Sequence, residues 1–273
     1  MSRYDAGRVG DPPPAPEPLA VEAFDSHCHL DLMGVAVDDA LVAARAVGVR
    51  RVVTIGIDVP SSRWAAQAAA AHPDVYAGVA IHPNEAPAAD EAAWDEIARL
   101  AGLPDVVAVG ETGLDRYRTG SDGWAAQERS FRRHIDIAKS SGKVLVIHDR
   151  EAHAEVLRVL ADEGPPERVV FHCFSGDATF ARSCTDLGYV VSFAGNITFN
   201  NASDLRAAAA AVPADRLLVE TDAPFLTPMP YRGRPNAPYL VPTTLRALAA
   251  ARGTSVEELA ASISATGARL FGW

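Results

Sequence analysis

The sequence predicts an α/β protein folded as a (β/α)8 TIM barrel, and three observations lead there. Short apolar runs alternate with Ala-rich stretches of helical pattern, which implies a parallel sheet with right-handed crossovers. Eight such units fit into about 250 residues, a length that favours a closed barrel over an open doubly wound sheet. No glycine-rich dinucleotide fingerprint follows the first run, because the chain reads SHCHLD where that turn would sit.

The elements follow in order. A Pro-rich leader, residues 1–20, is expected to be extended in polyproline fashion or disordered. The first strand, Val21–Ser26, leads to a helix near Asp38–Val47, and the second, Arg51–Ile57, to one near Ser61–Ala71. Val75–Ile81 precedes Glu91–Leu100, and Val106–Glu111 precedes Ala125–Ser140. Val144–His148 is followed by Ala152–Glu163, Val169–Cys173 by Ala178–Leu187, and Tyr189–Phe193 by Asp204–Ala211. The eighth strand, Leu217–Thr221, is followed by two helices, Pro242–Ala251 and Ser255–Leu270. Each strand is a short run rich in β-branched and aromatic residues. No internal repeat or interdomain linker divides them, so residues 21–273 read as one domain.

Composition narrows the function. With 48% hydrophobic and 22% charged residues in 273, the chain can bury a large core. It contains no run of eighteen apolar residues and no apolar stretch at its start, so a cytoplasmic protein without membrane contact is expected. Cys28, Cys173 and Cys184 are odd in number and unpatterned, which fits a reducing compartment rather than a disulfide framework. A net charge of −10 opposes non-specific binding along a nucleic-acid backbone, so any such substrate needs local attraction at a site. The basic charge is almost all Arg, Lys139 and Lys143 being the only lysines.

In FDSHCHLD, extended chain would place Asp25, His27 and His29 on one face and Ser26, Cys28 and Leu30 on the other. Taken alone, this segment is either a metal site or a half-exposed strand whose histidines pair with Asp25 or Asp31. The rest of the chain decides. A barrel carries its chemistry at the carboxyl ends of its strands. There the first strand delivers Asp25, His27 and His29, the third His82, the fourth Glu111, the fifth His148, the sixth His172 and the eighth Asp222. His72, His134 and His153 fall elsewhere. The inventory exceeds the needs of one tetrahedral zinc and suits two divalent ions sharing a carboxylate. Neither lysine sits where a carbamylated bridge would, so Glu111 is the bridging candidate.

DSHCHLD, AIHPNEA, GETGLD, VIHDREA, FHCFSG and ETDAPFLTP with RGRPNAP, taken together, resemble the TatD family of metal-dependent hydrolases. The motifs run in family order from about Phe24 to the C-terminal helix. The resemblance implies a barrel of the metal-dependent hydrolase type. It implies one metal held by His27, His29, Glu111 and Asp222, and a second by Glu111, His148 and His172. It further implies phosphodiester hydrolysis on DNA or RNA, often as a 3′ to 5′ exonuclease. This chain departs from the pattern at Asn84, where a second histidine is usual, and at Thr112 and Arg116.

The expected activity is therefore that of a binuclear metal-dependent deoxyribonuclease acting on single-stranded DNA, with Mg, Mn or Zn and no stable protein partner. Asp222 is placed to accept a proton, and His82 to stand near substrate. Arg116 and Arg118, Arg150, Arg232 and Arg234 follow rim strands and are candidates for phosphate contact, as is Ser175 at the start of a helix. Rim arginines pairing with Asp115, Asp122 or Asp149 are the plain alternative. Tyr231, Phe174 and Phe225 are weighed as base-stacking residues, with packing the default. Two other accounts stand beside this one: an acyl or amide hydrolase such as an aminoacyl-tRNA deacylase on the same site, and a catalytically silent nucleic-acid-binding barrel.

Overall fold

The computed structural model describes residues 10–273. Eight parallel strands pair in chain order: β1 (Ala23–Cys28), β2 (Val49–Ile55), β3 (Val75–Val79), β4 (Val106–Asp115), β5 (Val144–Arg150), β6 (Val169–Phe171), β7 (Val190–Phe193) and β8 (Leu217–Val219). Outside them lie α1 (Val37–Ala46), α2 (Val59–Ala71), α3 (Glu91–Ala101), α4 (Trp124–Ser141), α5 (His153–Glu163), α6 (Ala178–Asp186), α7 (Ser203–Ala211), α8 (Val241–Arg252) and α9 (Val256–Phe271). This is the expected TIM barrel.

β1 and β8 close the barrel through main-chain contacts at its carboxyl end. The His29 amide donates to the Ala223 carbonyl at 2.6 Å and the Asp222 amide to the His27 carbonyl at 2.9 Å. Asp25 reinforces the seam: its carboxylate accepts from the Thr221 amide at 2.9 Å and from the Thr221 hydroxyl. On the outer surface Phe24 lies so close to α9 that a Cβ on Gly267 would stand 2.3 Å from its ring. Only glycine fits there.

Local chemistry marks the helix ends as the sequence leads one to expect. Asp58 and Ser255 form reciprocal capping boxes with Ser61 and Glu258, and Asp90 and Asp177 cap α3 and α6. Gly142, Gly253 and Gly272 end α4, α8 and α9 in the left-handed conformation.

Two strands depart from regular pairing where the site is built. Along β1, Asp25 pairs with Val52 but Cys28 with Thr54; along β4, Val109 pairs with Leu145 but Thr112 with Ile147. Each offset inserts one extra residue, a bulge of the kind that re-aims side chains at barrel rims. β4 and β5 also run beyond their expected ends, because Thr112 to Asp115 continue to pair with Ile147 to Arg150. Gly113 permits this with φ +136°, where a Cβ would meet the His148 carbonyl oxygen at 2.2 Å. β3, β6 and β8 stop short of the polar residues that follow them, so His82, His172 and Asp222 sit just past the strands.

Residues 1–9 of the leader lie outside the described residues. The remainder, residues 10–20, has neither helix nor strand but is anchored, so disorder does not describe it. The Leu19 amide donates to the Val47 carbonyl at 3.0 Å, Tyr239 Oη to the Pro13 carbonyl at 2.6 Å, and Arg246 to the Glu17 carbonyl at 2.7 Å.

Replacing Asp25 with Ala should destabilise the fold by about 1–3 kcal/mol, because it leaves the buried Thr221 amide without its acceptor. Urea denaturation checks this: the midpoint should fall at an unchanged slope. An unmoved midpoint would show that main-chain contacts alone secure the seam.

Candidate metal centre

The polar strand ends converge on one buried carboxylate. Glu111 presents Oε1 to His29 Nε2 at 3.5 Å and to His27 Nε2 at 3.7 Å. Its Oε2 faces His172 Nε2 at 2.7 Å, His148 Nδ1 at 3.2 Å and His82 Nε2 at 3.8 Å. Asp222 completes the first group, with Oδ1 3.5 Å from His29 Nε2 and 3.8 Å from His27 Nε2. Asp222 and Cys173 hold φ at +52° and +44°, a costly left-handed turn for side chains with a Cβ, and each lies just past its strand.

Asp25 does not join this group, although alternation along β1 would put it with His27 and His29. The bulge between Asp25 and Cys28 breaks the period of two, and Asp25 binds Thr221 instead. Cys28 stays away from the cluster, its thiol 3.6 Å from the Val53 carbonyl.

The donors fit divalent cations. Three groups, His27–His29–Asp222, His27–Glu111–His172 and His82–Glu111–His148, each bring ligand atoms within 4.8 Å of one another. Both ring nitrogens of His27 are buried without a hydrogen-bond partner among the described residues, and ligation through Nε2, the one facing Glu111 and Asp222, would relieve that atom's cost. Three other rings are held from behind, which fixes their orientation as metal sites require. His29 Nδ1 meets the Ile55 carbonyl at 2.9 Å, His172 Nδ1 meets Glu220 Oε1 at 3.3 Å, and His148 Nε2 meets Asp115 Oδ2 at 3.2 Å. Asp115 and Glu220 carry no site signature of their own in the sequence. Their only signal was position, carboxylates inside GETGLD and ETDAPF.

The electrostatics describe a cluster short of positive charge. Burial opposes ionisation of Glu111, but the imidazoles of His172, His82 and His148 outweigh it and hold the carboxyl well below the usual range. Burial likewise opposes charge on His29, yet Asp222 and Glu111 raise its pKa to about 9. His172 and His148 are raised in the same way, against burial, by Glu111 with Glu220 and by Asp115 with Glu111 respectively. His27 is lowered by burial and by His172, whose ring stacks on it at 3.9 Å.

These residues floor a cleft of about 820 Å³, within the range of sites that enclose a ligand. Arg118, Arg150, Arg232, Arg234 and Ser175 line it. Arg116 does not. Its guanidinium packs over Trp124 at 4.5 Å and pairs with Glu155 at 3.3 Å, so its expected phosphate contact gives way to a bond between α4 and α5. Ser175 does not cap α6 either, since Asp177 does so; its hydroxyl donates to the Asp149 carbonyl at 3.2 Å. Phe174 is core, packed on Phe180 and Phe193. The aromatic faces beside the cleft arginines are Tyr117 under Arg150 at 4.1 Å, Phe199 under Arg232 at 4.4 Å and Tyr231 under Arg234 at 5.7 Å, and Phe225 lines the cleft itself.

Comparison with known proteins agrees with this geometry. The profile of the TatD related DNase family matches residues 24–272. The uncharacterized metal-dependent hydrolase TatD of Mycobacterium tuberculosis is 46% identical over 256 residues, covering 91% of this chain and 97% of that protein. YcfH of Escherichia coli K12, also an uncharacterized metal-dependent hydrolase, is 39% identical over 254 residues, covering 90% of this chain and 94% of its own. Among solved structures, the TatD homolog YjjV of E. coli K12 superposes with a TM-score of 0.86 at 26% identity, over 92% of this chain and 98% of that one. The chain belongs to the TatD family of metal-dependent hydrolases.

Two measurements test the charge state of the cluster. His29, raised to about 9, must give up a proton to bind a cation, so titrating Mn or Zn into metal-free protein at pH 7 should release protons. Calorimetry in buffers of different ionisation enthalpy reads this directly, and heats independent of buffer would contradict it. The raised His29 pKa also stabilises the metal-free fold fully below the ordinary value of 6.5 and loses that contribution as pH rises through about 9. Melting temperature of metal-free protein should therefore fall across that interval while affinity for metal rises.

Proposed function

We propose that this TatD-family hydrolase cleaves phosphodiester bonds in nucleic acid, as a 3′ to 5′ deoxyribonuclease acting on single-stranded DNA with two divalent ions held around Glu111. The observation that carries this reading is the set of cleft arginines. Arg118, Arg150, Arg232 and Arg234 line the same cavity as the candidate ligands, and none has a carboxylate partner among the described residues. The plain alternative, pairing with Asp115, Asp122 or Asp149, is not what surrounds them: Asp115 is taken up by His148, Asn84 and main-chain amides, and Asp149 by His153 at 2.7 Å. In a chain of net charge −10, such a cluster suits an anionic substrate gripped at a site. The flat faces of Tyr117, 62% exposed, and Phe199 beside two of these cations suit bases between phosphates. A small uncharged acyl or amide substrate places no comparable demand on four cations, whereas an aminoacyl-tRNA would, and assay of DNA beside an aminoacyl ester separates that case.

The imidazole and carboxylate donors admit Zn, Mn or Mg, and such ions, when bound, acidify a water and offset charge on the phosphoryl oxygens. The chain's own residues supply the rest. Asp222, partly open to the cleft, accepts the proton of the attacking water. His82 acts as a donor rather than a ligand. Its Nδ1 accepts the Asn84 amide at 3.0 Å, so the proton of the neutral ring sits on Nε2, and burial keeps the ring neutral by lowering its pKa to about 3. His82 lines the cleft with Nε2 3.8 Å from Glu111 Oε2, where its N–H can donate to a phosphoryl oxygen. Arg118, Arg150, Arg232 and Arg234 hold the strand, and Ser175 borders its path.

The direct test is incubation of metal-reconstituted protein with end-labelled single-stranded DNA beside an aminoacyl ester. Hydrolysis of the ester with the DNA left intact would overturn the reading. Replacing Asp222 with Asn keeps the shape and one oxygen but removes basicity, so DNA turnover at saturating Mn should fall by about 10²–10⁴. Metal content of the same sample should fall less than turnover. A variant that keeps more than a tenth of normal turnover would remove Asp222 as proton acceptor.

A further inference from the structure

Asp115 joins two parts of the site that are otherwise separate. It ends β4 fully buried, and its main chain is clamped by the Gln127 side chain of α4: its amide donates to Gln127 Oε1 at 3.0 Å, and Gln127 Nε2 donates back to its carbonyl at 3.1 Å. Its two carboxylate oxygens have different partners. Oδ1 accepts the amides of Tyr117 at 2.9 Å and Arg118 at 2.7 Å, turning the chain so that this segment forms one wall of the cleft. Oδ2 accepts His148 Nε2 at 3.2 Å and Asn84 Nδ2 at 3.4 Å, while Asn84 Oδ1 in turn accepts the Thr119 hydroxyl at 2.7 Å. On its far side the His148 ring presents Nδ1 to Glu111 Oε2 at 3.2 Å.

We infer that Asp115 is a positioning residue that couples the metal-ligating ring of His148 to the loop 116–119, which grips the substrate. Oδ2 keeps the proton of His148 on Nε2 and commits Nδ1 to the cation, because a carboxylate oxygen accepts and cannot donate. Oδ1 holds Tyr117 and Arg118 at the cleft from the same rigid point. A shift of either part is therefore felt by the other. This rests on the reading that His148 ligates metal and that the loop contacts nucleic acid, and it goes beyond that reading in naming the residue that ties them.

The test uses the full chain and readouts independent of turnover. Asp115→Asn retains an oxygen for the two amides but turns an amide N–H₂ toward the His148 N–H, so affinity for Zn, measured by calorimetry on metal-free protein, should fall about 10- to 100-fold. Asp115→Glu, which keeps a carboxylate, should recover part of that loss. In zinc-loaded wild-type protein, ¹⁵N NMR should find the His148 proton on Nε2 with Nδ1 bound, and adding a single-stranded oligonucleotide should shift that N–H resonance. Ligation through Nε2, an unmoved resonance on saturation with oligonucleotide, or Zn affinity in Asp115→Asn within twofold of wild type would each overturn the inference. The wild-type NMR result decides even if the variants do not fold. Absence of DNA cleavage with these readouts as expected would count against the nuclease reading alone.

Discussion

A single buried carboxylate, Glu111, sets the problem that the rest of the barrel mouth solves. Taking a carboxylate out of water costs several kcal/mol unless positive charge and donors surround it. Here five histidines from four different strand ends do so, two facing one oxygen and three the other. Without metal, part of the compensation comes from the proton affinity of three of those rings, His29, His148 and His172, which are raised. With metal, cations take the protons' place.

Ideal strands would not aim these groups correctly. β1 and β4 each carry one extra residue just where His27 and Glu111 emerge, and β6 and β8 break off before His172 and Asp222. The left-handed backbone at Cys173 and Asp222 costs energy that the closed main-chain bonds around them support, as when the Asp222 amide meets the His27 carbonyl. Barrel closure and site geometry are in this sense one structure. The β1–β8 seam that completes the sheet also places His27 and His29 beside Asp222.

Behind the candidate ligands lies a set of acceptors that fix ring orientation: the Ile55 carbonyl, Glu220 and Asp115. In front lies a wall of arginines with no acidic partners among the described residues. The contrast with Arg116 is instructive. It comes from the same strand end as Arg118, yet Glu155 and the Trp124 ring draw it into the helical layer. Neighbours on α4 and α5, rather than chain position, decide which guanidinium faces the cleft.

Periodicity and spacing made the eight-stranded barrel legible, because parallel strands buried on both faces read as β-branched runs whatever surrounds them. The same reasoning located His27, His29, His82, Glu111, His148, His172 and Asp222, since a barrel exposes its strand ends on one rim and polar residues there have few other reasons to occur. Other features depended on contacts between residues far apart in the chain, which no local pattern encodes. The bulge that separates Asp25 from the histidines is set by pairing with β2 and by Thr221 on the β8 side of the seam. Which arginines face the cleft is set by helix packing, and the division of labour within Asp115 exists only once Asn84, Tyr117, Arg118 and His148 have been folded around it. The sequence determined which groups are present at the rim; tertiary structure decided which way each one points, because direction is fixed by partners and not by position in the chain.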